Sequence, residues 1–208
     1  LLSQICIDCG LPAGVLNIIH GTGPDTGKAL VAHPKVKAIS FTGSTRAGAE
    51  IASIAAPQFK KLSLELGGKN PNIIFADCDW EKMLQTTVQS SFSNQGQICL
   101  CGSRILVERS IYDRFKEAFV AKAAALQVGD PLEPGSRLGA IVSKAHYDKI
   151  LACIALAKEE GGRVLTGGSA LQLEGRCAKG YFIAPTVIEG LGPTCKTNQE
   201  EIFGPVVT

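Results

Sequence analysis

The chain has 208 residues, 45% of them hydrophobic and 19% charged, and its formal net charge is +2. These values are typical of a globular protein with a sizeable core. Because the charges are spread without long blocks of one sign, we expect no nucleic-acid partner and no anionic membrane, and no apolar stretch is long enough to span a bilayer. A small-molecule partner is favoured.

The first third of the chain predicts helices and strands in alternation. An apolar segment at residues 1–9 ends at GLPAG, a helix stop and turn, and the apolar run Val15–Ile19 then predicts a buried strand. A helix follows, with Pro24 in its first turn. Val36–Phe41 predicts a second buried strand, after which come the turn TGSTRAG, a helix through AEIASIAA and a third strand, KLSLEL. This order predicts a parallel, doubly wound α/β sheet.

Two glycines and a proline at residues 67–71 interrupt this pattern, and we predict a domain boundary there, between residues 1–67 and 68–208. Beyond the boundary the alternation resumes. The predicted elements are a strand NIIF, a helix from about Asp79 to Ser93, a strand RILVE, a helix from Ser110 to about Leu126, a helix Ser143–Glu160, a strand RVLTG and the apolar stretch YFIAPTVIE. The last residues, EEIFGPVVT, end in a β-branched run that predicts a further, unfinished strand.

Eight cysteines could form a disulfide framework in a short secreted protein, but this chain is long and rich in core residues. Reduced thiols in a cytoplasmic compartment are therefore expected. A zinc site is not predicted, because Cys6-x-x-Cys9 has no second pair and the chain holds only three histidines. The cysteines lie at positions 6, 9, 78, 99, 101, 153, 177 and 195.

Two glycine-containing turns could hold a phosphate. In FTGSTRAG, residues 43–48 offer a tight turn, a hydroxyl cap and free N–H groups at a helix N-terminus. An ordinary strand-to-helix turn explains the stretch equally well, because the G-x-G-x-x-G order is not met. The stretch HGTGPDTG, which contains Gly21 and Gly23, has the same ambiguity.

Two further stretches hold candidate catalytic groups. Glu65 in LELGGKNP ends an apolar strand beside two glycines, where a desolvated carboxylate could be a general base, although a strand-end glutamate that faces water is also compatible. Cys99 in SFSNQGQICLCG lies in a loop of small and amide residues, where a thiol could be activated, although an inert buried cysteine is also compatible. Lys69 is expected to cap or pack near the boundary without acting as a base, and Arg46 to meet a phosphate or stay solvated.

Taken together and in order, FTGSTRAG, LELGGKNP, SFSNQGQICLCGSR and EEIFGPVV resemble the NAD(P)-dependent aldehyde dehydrogenases, and the resemblance covers essentially all 208 residues. It implies a Rossmann-like parallel-sheet cofactor domain, of which residues 1–67 would be the C-terminal part, and an α/β catalytic domain that begins with residues 68–208. The stretches GQICLCGSR and TCKTNQEEIFGP look most like the branch that acts on aminomuconate or hydroxymuconate semialdehyde and uses NAD.

The same resemblance implies roles for single residues. Cys99, and not Cys101, matches the family's nucleophile, and Glu65 matches its catalytic acid. Glu201 and Phe203 match residues that contact the nicotinamide ribose and ring. The residues implied to contact NAD, with NADP not excluded, are Gly21, Gly23, Gly43, Ser44, Thr45, Arg46, Ala47, Gly48, Leu66, Gly67, Glu201 and Phe203.

The family's chemistry would use these groups without a metal. The Cys99 thiolate attacks an aldehyde to give a thiohemiacetal, hydride leaves to the nicotinamide, and water resolves the thioester to a carboxylic acid with Glu65 as base. A non-catalytic NAD-binding or crystallin-like structural member is the alternative, and such a member would usually have lost Cys99 or Glu65.

Family members are more than twice as long as this chain, so we expect a central fragment of an aldehyde dehydrogenase. The asparagine that completes the family's oxyanion hole would precede Leu1, and the fragment alone is therefore expected to be weakly active or inactive. The full-length parent is expected to be a homo-oligomer.

Overall fold

The computed structural model describes residues 1–208 and has an α/β architecture with nine strands and seven α-helices. The chain divides into two compact units, Leu1–Leu66 and Gly67–Thr208, called here the first unit and the second unit. None of the helices combines the length and the apolar character that crossing a membrane requires.

The first unit contains three α-helices and two strands. They are α1 (Leu2–Asp8), α2 (Lys28–Ala32), β1 (Ala38–Gly43), α3 (Thr45–Ala55) and β2 (Lys61–Leu66), with a π-helical turn at Gly23–Gly27 and a 3-10 turn at Ala56–Gln58.

The second unit begins with two strands separated by a helix and ends in short strands. Its elements are β3 (Asn70–Ile74), α4 (Trp80–Phe92), β4 (Gly102–Val107), α5 (Tyr112–Ala124), α6 (Lys144–Glu159), β5 (Arg163–Thr166), β6 (Ala170–Leu171), β7 (Phe182–Ile183), β8 (Thr186–Glu189), α7 (Lys196–Gln199) and β9 (Val206–Val207), with 3-10 turns at Ser93–Gly96, Arg109–Ile111 and Gly175–Cys177.

The predicted strand–helix–strand unit of the first unit is confirmed. β1 and β2 pair in parallel and α3 connects them. The helix begins at Thr45, earlier than predicted, because the backbone of Ser44 is extended and its hydroxyl accepts a hydrogen bond from the Ala47 N–H at 3.2 Å. A Cβ at Gly48 would meet the side chain of Leu66, so this glycine lets α3 approach β2 closely.

The predicted buried strand at Val15–Ile19 is wrong. This segment forms no strand, and its apolar side chains are exposed, with Val15 at 66% and Ile19 at 56%. A strand requires the backbone of a neighbouring strand for its hydrogen bonds, and β1 pairs only with β2 in this unit. The local bonds that form instead are turn-like, from Val15 N–H to the Pro12 carbonyl at 3.2 Å.

The first unit has a small interior in which a lysine is buried. Only Val31, Gly48, Ala55 and Lys60 are buried among its residues. The Lys60 ammonium donates hydrogen bonds to the carbonyl of Val31 and, at 2.8 Å, to the carbonyl of His33. Lys60 therefore ties the end of α2 to the residue that precedes β2.

The second unit contains a mixed sheet. β3 and β4 pair in parallel, and the Ile105 N–H donates to the Thr208 carbonyl at 2.7 Å, which links β4 to the end of the chain. β9 continues in parallel to β8, whereas β8 and β5 are antiparallel. The second unit thus combines a parallel pair, β3 with β4, and an antiparallel pair, β5 with β8.

Two apolar clusters form the core of the second unit. In one, Phe92 of α4 and Phe115 of α5 each stack on Phe119, with ring centroids 6.0 and 5.2 Å from it. In the other, Ile150 and Ile154 of α6 pack with residues of β7 and β8. The helices α4, α5 and α6 are confirmed close to their predicted bounds.

Candidate active site

The two cysteines of SFSNQGQICLCG lie in different environments. α4 ends at Phe92, and a 3-10 turn and a β-turn then lead to β4. The Cys101 N–H donates to the Ile98 carbonyl at 3.1 Å, which places Cys99 at the second position of the turn. Cys99 is exposed and Cys101 is 7% exposed. Burial raises the pKa of the Cys101 thiol, which favours its protonated, unreactive form, so Cys101 is a packing residue.

The side chain of Asn70, which lies outside the Cys99 turn, makes two hydrogen bonds to the backbone of the turn. The amide nitrogen Nδ2 of Asn70 donates to the Cys99 carbonyl at 2.5 Å and to the Cys101 carbonyl at 3.0 Å. No role was predicted for Asn70, because an asparagine before a proline is locally typical of a turn.

The residues that precede Cys99 pack against the last loop of the chain. Asn94 and Gln95 have positive φ values of 49° and 56°, and Gly96 has a φ of 68°. A Cβ at Gly96 would collide with the Gly204 carbonyl, so only glycine permits this close approach. A small crevice here is lined by Ile98, Cys101, Gly68 and the loop Glu201–Gly204.

Glu201 and Phe203, two of the predicted cofactor residues, lie in this loop. Glu201 Oε1 accepts a hydrogen bond from the Gly68 N–H at 3.2 Å, and a Cβ at Gly67 would overlap the Glu201 carboxylate. The structure thus brings Gly67 and Glu201 together, next to the crevice beside Cys99.

α6 fixes the backbone of the same loop. His146 Nε2 donates to the Phe203 carbonyl at 2.6 Å, with the two rings edge-to-face at 5.9 Å, and Lys149 Nζ donates to the Glu201 carbonyl at 3.1 Å. Phe203 has a φ of 61°, a left-handed conformation that a residue with a Cβ rarely adopts. No local sequence pattern predicted a role for His146.

The remaining predicted residues lie in the first unit. Gly23, Arg46 and Ala47 line one groove of about 560 Å³ between the segment that begins α2, strand β1 and α3. Gly43, Ser44 and Thr45 form the turn that starts α3, and Gly48 contacts Leu66. Gly21 lies against the side chain of Thr26 and does not line the groove.

Glu65 is exposed near the end of β2, where it pairs with Thr42 of β1. Of the two environments that the sequence left open, a strand-end glutamate that faces water is the one observed in this chain. Glu65 belongs to the first unit and Cys99 to the second.

The ammonium end of Lys69 packs inside the second unit, which is one of the two roles predicted for it, and it makes no capping hydrogen bond. Its ammonium nitrogen is inaccessible to solvent and has no hydrogen-bond partner. Burial, together with the positive charge of Arg104, lowers the pKa of Lys69 to about 8. Lys69 therefore holds a proton less tightly than an ordinary lysine, a property that its sequence context did not indicate.

Comparison with known proteins gives consistent matches. The profile of the aldehyde dehydrogenase family matches residues 1–208. A 2-aminomuconic semialdehyde dehydrogenase from Danio rerio is 50% identical over 208 residues, which are 99% of this chain and 43% of that protein. A 2-aminomuconic 6-semialdehyde dehydrogenase from Pseudomonas sp. is 42% identical over 207 residues, which are 99% of this chain and 42% of that protein.

Solved structures of aldehyde dehydrogenases have the same fold as this chain. The crystal structure of betaine aldehyde dehydrogenase from Staphylococcus aureus in complex with NAD+ has a TM-score of 0.93 and 36% sequence identity, and the match covers 99% of this chain and 41% of that chain. The present chain thus spans less than half the length of the proteins that it matches.

Proposed function

This chain belongs to the aldehyde dehydrogenase family, and we propose that it carries the nucleophile and part of the cofactor site of an enzyme that oxidises an aldehyde to a carboxylic acid. The observation that carries the proposal is the exposed Cys99 at the second position of a turn that packs beside the Glu201–Phe203 loop. A thiol in this position is accessible to a small electrophile, whereas the neighbouring Cys101 is not.

The residues of the first unit fit a dinucleotide. The Ser44 hydroxyl caps the Ala47 N–H, and the N–H groups of Thr45 and Arg46, which have no acceptor within the helix, suit a phosphate. The groove beside them is lined largely by apolar side chains that suit a flat ring. In the second unit, the Glu201 carboxylate suits ribose hydroxyls, and the Phe203 ring suits a nicotinamide. NAD, when bound, would supply the hydride acceptor for the oxidation.

The proposed role of Cys99 is that of a covalent nucleophile. Its thiolate attacks the aldehyde carbonyl, and the carbonyl oxygen becomes an oxyanion in the thiohemiacetal. The Cys99 N–H makes no hydrogen bond within the chain, so it is free to donate to that oxygen. Loss of hydride from the thiohemiacetal carbon leaves a thioester on the same sulfur.

Glu65 is proposed as the base for the second half of the reaction. It takes a proton from a water molecule, the water attacks the thioester, and the acid is released with regeneration of the Cys99 thiolate. A carboxylate that is exposed in this chain is free to meet water. As substrate we propose a semialdehyde, on the support of the similarity to the 2-aminomuconic semialdehyde dehydrogenases.

The nucleophile is tested by alkylation of this chain with iodoacetamide, followed by mass spectrometry of each cysteine. We expect Cys99 to react about tenfold or more faster than Cys9, which is also exposed but lies in the first unit, outside the proposed site. Cys99→Ala should remove the fast phase, and Cys101→Ala is the matched control that should keep it. Equal rates at Cys99 and Cys9 would contradict the proposal.

The cofactor site is tested by calorimetric titration with NAD+. Ala47→Phe places a ring in the groove and should weaken binding about tenfold or more, because the ring takes up space that the cofactor would occupy. Ala49→Phe, on the exposed side of the same helix, is the control and should leave binding unchanged. NAD+ binding without a fast-reacting Cys99 would favour the alternative, a non-catalytic NAD-binding or structural member of the family.

A further inference from the structure

Asn70, the first residue of β3, uses both of its amide hydrogens on the cysteine turn. Nδ2 carries two N–H donors, and they reach the carbonyl of Cys99 at 2.5 Å and the carbonyl of Cys101 at 3.0 Å. The two carbonyls flank Leu100, so one side chain spans the tip of the turn. Both contacts lie within the second unit.

The carbonyls of Cys99 and Cys101 accept their hydrogen bonds from the Asn70 side chain, at a point where the backbone pairing of β3 with β4 is irregular. Asn70 pairs with Gly102, but the next pair is Pro71 with Arg104, so the register shifts and Ser103 is left over on β4. Pro71 has no backbone N–H to donate. At the point where regular pairing between β3 and β4 stops, the Asn70 amide supplies the donors that a backbone would supply elsewhere.

The two hydrogen bonds determine how the turn presents Cys99. With the carbonyls of Cys99 and Cys101 both directed at Asn70, Leu100 points away and is 82% exposed. Fixing the Cys99 carbonyl fixes the peptide plane that follows the cysteine, and therefore limits the directions in which its side chain can leave the backbone. The buried Cys101 anchors the other end of the turn.

We propose that Asn70 is a positioning residue for the Cys99 nucleophile, acting through the Cys99 and Cys101 carbonyls and not through the substrate. The inference rests on the proposed function, in which Cys99 is the nucleophile. It assigns to a strand residue, 29 positions before the cysteine, the control of the cysteine's orientation.

Three variants separate positioning from general stability. Asn70→Asp keeps the size of the side chain, removes both donors and puts a carboxylate against two carbonyl oxygens. Asn70→Ser keeps one hydroxyl donor and should be intermediate. Asn72→Asp is the matched control, because it makes the same change two residues along β3, where the amide donates to the Thr87 hydroxyl at 3.4 Å and not to the turn.

Two readouts are measured on the 208-residue chain. The first is the hydrogen-exchange rate of the amides from Leu100 to Gly102, which should rise about tenfold in Asn70→Asp as two hydrogen bonds are lost. The second is the alkylation rate of Cys99 by iodoacetamide relative to Cys9. This ratio should fall about fivefold or more in Asn70→Asp, because the orientation is lost and the new carboxylate disfavours negative charge on the nearby sulfur. Asn72→Asp should match the wild type in both.

The outcomes distinguish the inference from the proposed function. If wild-type Cys99 reacts no faster than Cys9, the nucleophile assignment fails, while hydrogen exchange still tests whether Asn70 holds the turn. If Asn70→Asp and Asn72→Asp give the same exchange and alkylation rates, the role of Asn70 is overturned. Should Asn70→Asp fail to fold, Asn70→Ser decides, since wild-type values for both readouts in that variant would also overturn it.

Discussion

Each unit of the chain encloses the ammonium group of one lysine, and the two ammonium groups differ in their hydrogen bonding. In the first unit, the Lys60 ammonium donates to two carbonyls and joins α2 to β2, in an interior that holds few buried side chains. In the second unit, the Lys69 ammonium has no partner, and stacked phenylalanines and isoleucines supply the core. The first unit thus depends on a polar tie, whereas the second unit tolerates an unsatisfied charge because its apolar core is larger.

The largest effect should come from the aromatic core of the second unit. Phe119→Ala removes the ring on which Phe92 and Phe115 stack, and it should lower the free energy of unfolding by about 3–5 kcal/mol. Phe59→Ala in the first unit is the control, because Phe59 is 95% exposed and the change should be worth less than about 0.5 kcal/mol. Urea unfolding measures both, and similar losses for the two variants would contradict the comparison.

The next effect should come from the polar tie of the first unit. Lys60→Met keeps the apolar stem but leaves the carbonyls of Val31 and His33 without their donor, and it should cost about 2–3 kcal/mol. Hydrogen exchange of the β1 and β2 amides should accelerate accordingly. Lys61→Met, at an exposed neighbouring position, should leave the exchange rates unchanged. If the two variants exchange alike, Lys60 does not hold the unit.

The smallest expected change in stability is an increase, and it comes from the enclosed lysine of the second unit, Lys69. Between pH 8 and 10.5 the unfolded chain keeps a proton on Lys69 that the folded chain has released, so the stability contributed by this group rises with pH across that window. Lys69→Met removes the buried charge and should raise stability at pH 7 by on the order of 2 kcal/mol. Its gain over the wild type should shrink as the pH rises towards 10.5.

The control for this experiment is an exposed lysine of the same unit. Lys122→Met changes the net charge equally, without affecting a buried group. Urea unfolding at several pH values gives the slopes. A wild-type slope identical to that of Lys69→Met would show that the buried ammonium does not control the pH dependence.

Much of the fold could be predicted from local sequence. Asp79 and Ser143 have capping side chains directly before their helices, and both accept the expected hydrogen bonds at 3.2 Å. Val15–Ile19 has the composition of a strand but lacks a paired neighbour, and pairing is a property of distant residues that composition does not report. Local propensity therefore predicts helices better than it predicts which strands find partners.

The candidate site could likewise be predicted only in part from the sequence. Only the family resemblance distinguished Cys99 from Cys101, because two residues at this spacing would lie on the same face of a strand. The turn at Leu100 separates their environments, and that turn depends on Asn70. Lys69 and His146 could not be recognised, because burial of the first and the contact of the second with Phe203 arise only from tertiary packing.

The left-handed residues around the site have a consequence for conformational entropy. Asn94, Gln95 and Phe203 all carry a Cβ, and for such residues this conformation costs about 1–2 kcal/mol each and is adopted only where the surroundings impose it. Few alternative backbone states are then open to these segments, so they are stiff although they lie outside regular helices and strands. A molecule that settles beside Glu201 and Phe203 would meet a surface already ordered, and little of its binding free energy would be spent on restricting the chain.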